Sequence, residues 1–269
     1  MRPCIGPEVT PLRGEVWCKW KASNTSRLLE AQGRLRYGVC TGSGQPQPGG
    51  LGHVITADAR SRITREDVDL LGSCLGLDPE RFGSLDALLD RREVATFLLG
   101  ARLPGPSASL LFYVLVRHSL LDVGVEDPTV ADYFAAVLRE FGAGSRSRRI
   151  AEVDDQQHDY LVDILADLSA ATGDRQFRVC VHLGNYALWL SGIFPERIAA
   201  QRIRRGGPDL SYYESLGGRG FAEASEHQLA GRSGLEDVLR IAAERVHEVR
   251  VALNKVSSRL ALRGSRLAA

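Results

Sequence analysis

The stretch from Phe177 to Phe194, F-R-V-C-V-H-L-G-N-Y-A-L-W-L-S-G-I-F, constrains this chain more than any other. It reads as a helix that is apolar on nearly every side, and a helix without a polar face belongs in the centre of its domain. Four side chains interrupt that background. Arg178, His182, Asn185 and Trp189 recur at i, i+4, i+7 and i+11, so they share one stripe. A polar group buried without a partner costs about 1 to 3 kcal/mol, so the stripe is either a satisfied core network or the wall of a site.

Length and composition place that helix in an ordinary globular protein. A chain of 269 residues with 44 % hydrophobic and 25 % charged residues can bury a substantial core. The formal charge of +1 supplies no global field that favours a polyanion or an anionic membrane. Nearly all basic residues are arginine, with lysine only at Lys19, Lys21 and Lys255, a bias of GC-rich, bacterial-type coding. The five cysteines are scattered and never in a C-x-x-C pair, which argues against a disulfide framework or a structural zinc site. No signal-peptide order and no uncharged run of about 18 apolar residues is present, so the expected location is the cytoplasm, with no membrane partner.

The Gly- and Pro-rich run from Thr41 to Gly52 cannot form a helix or a central strand and divides the chain. Residues 1–53 lack a sustained period and read as a poorly structured appendage, a short β-containing segment, or translation from a start placed too far upstream. Residues 54–269 read as a single all-helical domain. Thr64, Ser84 and the Asp127-Pro128 pair are helix-start signals, and Ser107 to Val123 is a second mostly apolar helix. Residues 142–149 read as an exposed basic linker and 155–172 as an amphipathic helix. Tyr212-Tyr213 and Phe221 fall on short helices divided by Gly217-Gly218. Ser233 to Glu236 reads as a capping box that opens a long C-terminal helix, about 234–262, with an apolar seam from Leu235 to Leu260. The expected class is therefore all-α, an irregular multi-helix bundle of about ten helices with a buried central helix at 177–194.

Metal chemistry is the first function to weigh, because bundle carboxylate sites use E-x-x-H motifs on separate helices. Asp155-x-x-His158 and Glu244-x-x-His247 resemble that pattern. Glu244 and His247, however, lie far from the apolar seam of their helix, so neither a metal nor another cofactor is expected. The arginine clusters Arg146-Arg148-Arg149 and Arg202-Arg204-Arg205 could neutralise phosphates, but the balanced charge and the lack of a recognition motif argue against nucleic acid. No nucleophile elbow, phosphate loop or H-E-x-x-H motif is present. The remaining chemistry lies in a candidate pocket of Arg178, His182, Asn185, Trp189, Arg205, Tyr212 and Tyr213. There the histidine would be acid, base or ligand, an arginine would hold an anion, and the aromatics would form a wall.

The reading that follows is an interaction or structural module with a protein partner, or one that self-associates through its long C-terminal helix. The alternative is an enzyme or small-molecule-binding protein with its pocket around His182, Tyr212 and Tyr213.

Overall fold

In the computed structural model, residues 54–76, 84–100, 106–142, 145–151, 154–155 and 157–268 are described. The expected appendage, residues 1–53, lies outside them. The described residues form twelve α-helices, two short 3-10 turns and no strand. In chain order the helices are α1 Arg65–Leu75, α2 Leu85–Leu89, α3 Arg92–Gly100, α4 Ala108–Leu121, α5 Pro128–Gly142 and α6 Leu161–Ala170. There follow α7 Gly173–Ile193, α8 Pro195–Arg205, α9 Leu210–Ser225, α10 Gln228–Ser233, α11 Glu236–Glu244 and α12 Val246–Ala268. None of the described helices is long and apolar enough to cross a membrane.

The expected start signals form caps. Thr64 and Asp67 make a reciprocal capping box on α1, Ser84 accepts from the Ala87 amide, and Asp127 Oδ1 accepts from the Thr129 amide at 2.7 Å. Asp67 does more than cap its own helix. Its carboxylate also accepts from the Ser107 amide at 2.8 Å and the Ser107 hydroxyl at 2.7 Å, while Ser107 caps α4. One buried carboxylate thus joins the N-termini of two helices distant in sequence.

Three of the described helices are buried on all sides over most of their length: α7, as its composition requires, α4, whose residues Ser109 to Leu120 are all buried, and α5, buried from Val130 to Leu138. Helix α7 is covered chiefly by α9, then by α12 and α6. The α7–α9 contact is close because glycines make it. A Cβ on Gly220 would stand 2.7 Å from the Cys180 carbonyl oxygen and 3.0 Å from the Gly184 amide nitrogen, and one on Gly184 would meet the Phe221 ring at 2.6 Å. The expected break at Gly217-Gly218 is therefore wrong. Helix α9 runs through those glycines, whose added Cβ atoms would meet nothing nearer than 3.6 Å, and the close approach to α7 is made at Gly220.

Three further boundaries differ from expectation. The helix expected at 155–172 begins only at Leu161, where the Asp163 carboxylate accepts from the Tyr160 amide at 3.2 Å. Ser233 does not open the last helix: its hydroxyl donates to the carbonyls of Leu229 and Ala230, and Gly234 ends α10 with a positive φ of 67°. The long C-terminal helix is two helices, broken at Arg245, whose φ of −114° and ψ of 30° are not helical. Helix α11 packs on α9 and α5, whereas α12 packs on α7 and α4, so one straight axis cannot serve both sets of neighbours.

The glycine contact makes a paired prediction. Gly220→Ala forces backbone apart and should cost about 1 to 3 kcal/mol in urea unfolding. Gly218→Ala, whose added Cβ meets nothing nearer than 3.6 Å, should gain up to about 1 kcal/mol from helix propensity.

Candidate functional site

The structure separates the candidate residues. His182, Asn185 and Trp189 are buried at 3 %, 2 % and 5 % exposure, Arg178 is half-buried, and Arg205 and Tyr212 are exposed. Asn185 and Trp189 belong to the core. The Tyr133 hydroxyl donates to Asn185 Oδ1 at 3.0 Å and receives Nδ2 at 2.9 Å, while Trp189 meets Phe194 and Phe141 edge-on with centroids 5.0 and 5.7 Å apart. Burial raises the Tyr133 pKa, so the phenol stays neutral.

His182 is different because it is buried and incompletely satisfied. Its ring stacks on Tyr186 at 6.0 Å and tilts against Phe141 at 5.7 Å, and Nε2 has no hydrogen-bond partner. Burial first, and then the positive surroundings of Arg146, His158 and Arg175, push its pKa down to about 3; a hydrogen bond to the Ser147 backbone opposes them. His182 is thus a neutral imidazole at pH 7.

Two residues missed in the sequence lie in the same region. The segment expected to be an exposed linker, 142–149, carries Ser147, fully buried with its hydroxyl unpartnered, and the buried pair Ile150 and Ala151 follows it. His158, expected on a helix face, instead precedes α6 and is completely buried. Its Nε2 is 3.3 Å from Asp167 Oδ2 but misaligned for a hydrogen bond, so both ring nitrogens lack such a partner. Arg175 bridges Asp167 and Asp154, the latter at 2.7 Å. The adjacent apolar pair Ile150-Ala151 was the available sequence signal for burial here.

The other candidate motifs make no shared centre. His247 Nδ1 lies 3.0 Å from Glu214 on the surface, and Cys180 sits 3.5 Å from Glu223 with its thiol pushed up to about 12 by burial. Among the described residues no group of three His, Cys, Asp or Glu side chains could hold a metal.

A concave feature lies beside the histidine cluster. The cleft is lined by Asp159, Tyr160, Leu161, Tyr186, Leu190, Phe194, Arg197, Ile198, Gln201 and Tyr213, with about 80 Å³ of free space. Of the expected pocket residues it contains Tyr213 alone. Its arginine is Arg197, half-buried on α8, in place of Arg178 or Arg205. Tyr186 connects the two regions: one face stacks on His182, its hydroxyl donates to the Asp159 carbonyl at 3.1 Å, and its ring lines the cleft. Exposed Tyr212 stands edge-on to Tyr213 at 5.9 Å, outside the cleft lining. Arg197 was not among the residues singled out in the sequence; the approach of α8 to α7 places it here.

The buried histidine links stability to pH. With a folded pKa of about 3 against an ordinary value of 6.5, His182 binds its proton more readily in the unfolded chain. Its contribution is therefore complete above about pH 6.5 and is lost as pH falls toward 3. In urea unfolding, His182→Leu should lose about 2 kcal/mol less than the native chain between pH 7 and 4.5. Tyr133→Phe leaves the Asn185 amide buried without its partner and should cost about 1 to 3 kcal/mol at any pH in this range. Comparison of the chain with protein-family models, with curated proteins and with solved structures finds no match to any of them.

Proposed function

We propose that the chain is an interaction module that self-associates through the face around the tyrosine-framed cleft. The observation that carries this reading is where the exposed apolar side chains lie. Among the described residues, the large exposed ones are Leu85, Tyr160, Val162, Ile203 and Tyr212. All but Leu85 sit on the segments that build the cleft: Tyr160 lines it, Val162 follows lining residue Leu161, Ile203 is two residues past Gln201, and Tyr212 adjoins Tyr213. Ile203 is 86 % exposed, which is costly unless something covers it. Single exposed apolar residues need no explanation, whereas a group that includes two tyrosines has the composition of a recognition surface.

Charge supports the same face. Arg202, Arg204 and Arg205 are exposed on α8, and Asp155 and Asp159 are exposed before α6. In a two-fold contact the basic edge of one copy meets the acidic edge of the other. The seam of the C-terminal helix does not serve, because Val249, Ala252, Leu253 and Val256 are already buried against α7 and α4. The reading places the protein in the cytoplasm, where the exposed free thiol of Cys74 stays reduced.

Sedimentation equilibrium of the full chain tests the reading. A reversible dimer is expected, and Ile203→Glu should weaken it by at least about tenfold while leaving the circular dichroism spectrum unchanged. A native chain that stays monomeric at several hundred micromolar, or a dimer indifferent to Ile203→Glu, would refute it.

A further inference from the structure

The last turn of α8 is exposed on every side. From Gln201 to Gly206 each residue is exposed, and the turn carries Ile203, at 86 % exposure, between Arg202 and Arg204. A helix turns by about 100° per residue, which sets Ile203 about 120° or more round α8 from Arg197, Ile198 and Gln201, the residues of this helix that line the cleft. Ile203 therefore cannot turn into the cleft of its own chain. An apolar side chain and an apolar cleft lie close together on one helix, and neither covers the other.

Size and charge match the two. The free space of about 80 Å³ is close to half of the roughly 150 Å³ of an apolar cavity that admits benzene, so it suits an aliphatic side chain such as that of isoleucine and is too small for an indole. Leu161, Leu190, Phe194 and Ile198 make its walls apolar, and Asp159 stands at its edge with the carboxylate half exposed. Arginines on both sides of Ile203 thus have an acidic counterpart beside the cleft. Asp159 pairs with Arg148, and Arg202 with Asp209, each at 3.3 Å on the surface, and exposed pairs of this kind exchange partners at little cost.

We propose that Ile203 of one copy seats in the cleft of a second copy, with Arg202 and Arg204 beside the second copy's Asp159, and that a two-fold axis makes the exchange reciprocal. The inference rests on the self-association reading and names the contact that carries it, an aliphatic anchor filling a pocket. Each cleft is completed by a side chain that only the other copy supplies.

Sedimentation equilibrium of full-chain variants separates a seat of this size from a flat apolar patch. Ile203→Ala leaves the cleft unfilled and Ile203→Trp is too large for it, so each should weaken the native dimer by about tenfold or more. On a flat patch the larger indole would strengthen the dimer, because it buries more apolar area. Leu161→Trp closes the cleft from its own wall and should weaken the dimer as much. Ile203→Ala keeps an open cleft and Leu161→Trp keeps the isoleucine that fills it. An equimolar mixture of the two should therefore show a higher weight-average mass than either variant alone at the same total concentration. If circular dichroism shows that Leu161→Trp does not fold, the two substitutions of exposed Ile203 still decide. A dimer that Ile203→Trp strengthens, or a mixture that associates no better than either variant alone, overturns the seat and leaves self-association standing. A native chain that stays monomeric at several hundred micromolar overturns both.

Discussion

The close approach of α7 and α9 at Gly184 and Gly220 is the contact on which the rest of the arrangement depends. A helix with no polar face must be covered on every side, and the covering helix can come near enough only where side chains are absent. With α9 seated on those glycines, Phe221 fills the space beside Gly184 and meets Phe134 of α5 edge-on at 6.1 Å. The other end of α7 repeats the device, since a Cβ on Gly192 would stand 2.6 Å from Leu253 of α12. Helices distant in sequence are thus set around one axis by three glycines.

That enclosure explains the chemistry of the polar stripe. Each polar group on α7 must be satisfied inside the protein or left as an imbalance, because water does not reach it. Asn185 is satisfied by Tyr133. His182 is left with one unpartnered nitrogen near the equally buried His158 and Ser147. Tyr186 then carries the order of that core out to the cleft wall, so a rigid ring positioned by buried packing faces the open feature where Arg197 sits. Positioning of this kind favours recognition, since the ordering cost is met in folding rather than in binding.

How much of this was legible depended on whether the deciding physics was local. Thr64, Ser84 and Asp127 announced helix starts because a cap is an interaction within three residues. Gly217-Gly218 misled because glycine can end a helix or sit inside one, and only the packing of the whole helix distinguishes the two. The break at Arg245 carried no mark, since neither proline nor glycine is there. The bend arises from two different packing partners on either side. His158 was misplaced because it sits before α6, held by its amide's hydrogen bond to the Arg148 carbonyl and set beside Asp167, and its burial does not come from a helical period of its own.

What the sequence determined by itself was the class of the described residues: helices without strands, no spanning segment, and one helix so apolar that other helices had to surround it. Apolar period and capping chemistry act over a few residues, so they can be read along the chain. The tertiary structure alone decided which polar groups share a cleft. It dispersed the expected set of Arg178, His182, Asn185, Trp189, Arg205, Tyr212 and Tyr213, kept Tyr213, and joined it to Arg197, Tyr160 and Tyr186. The reason is physical. A recognition site depends on distances and dielectric surroundings set by helices that meet in space, and spacing along one helix specifies only which side chains share a face.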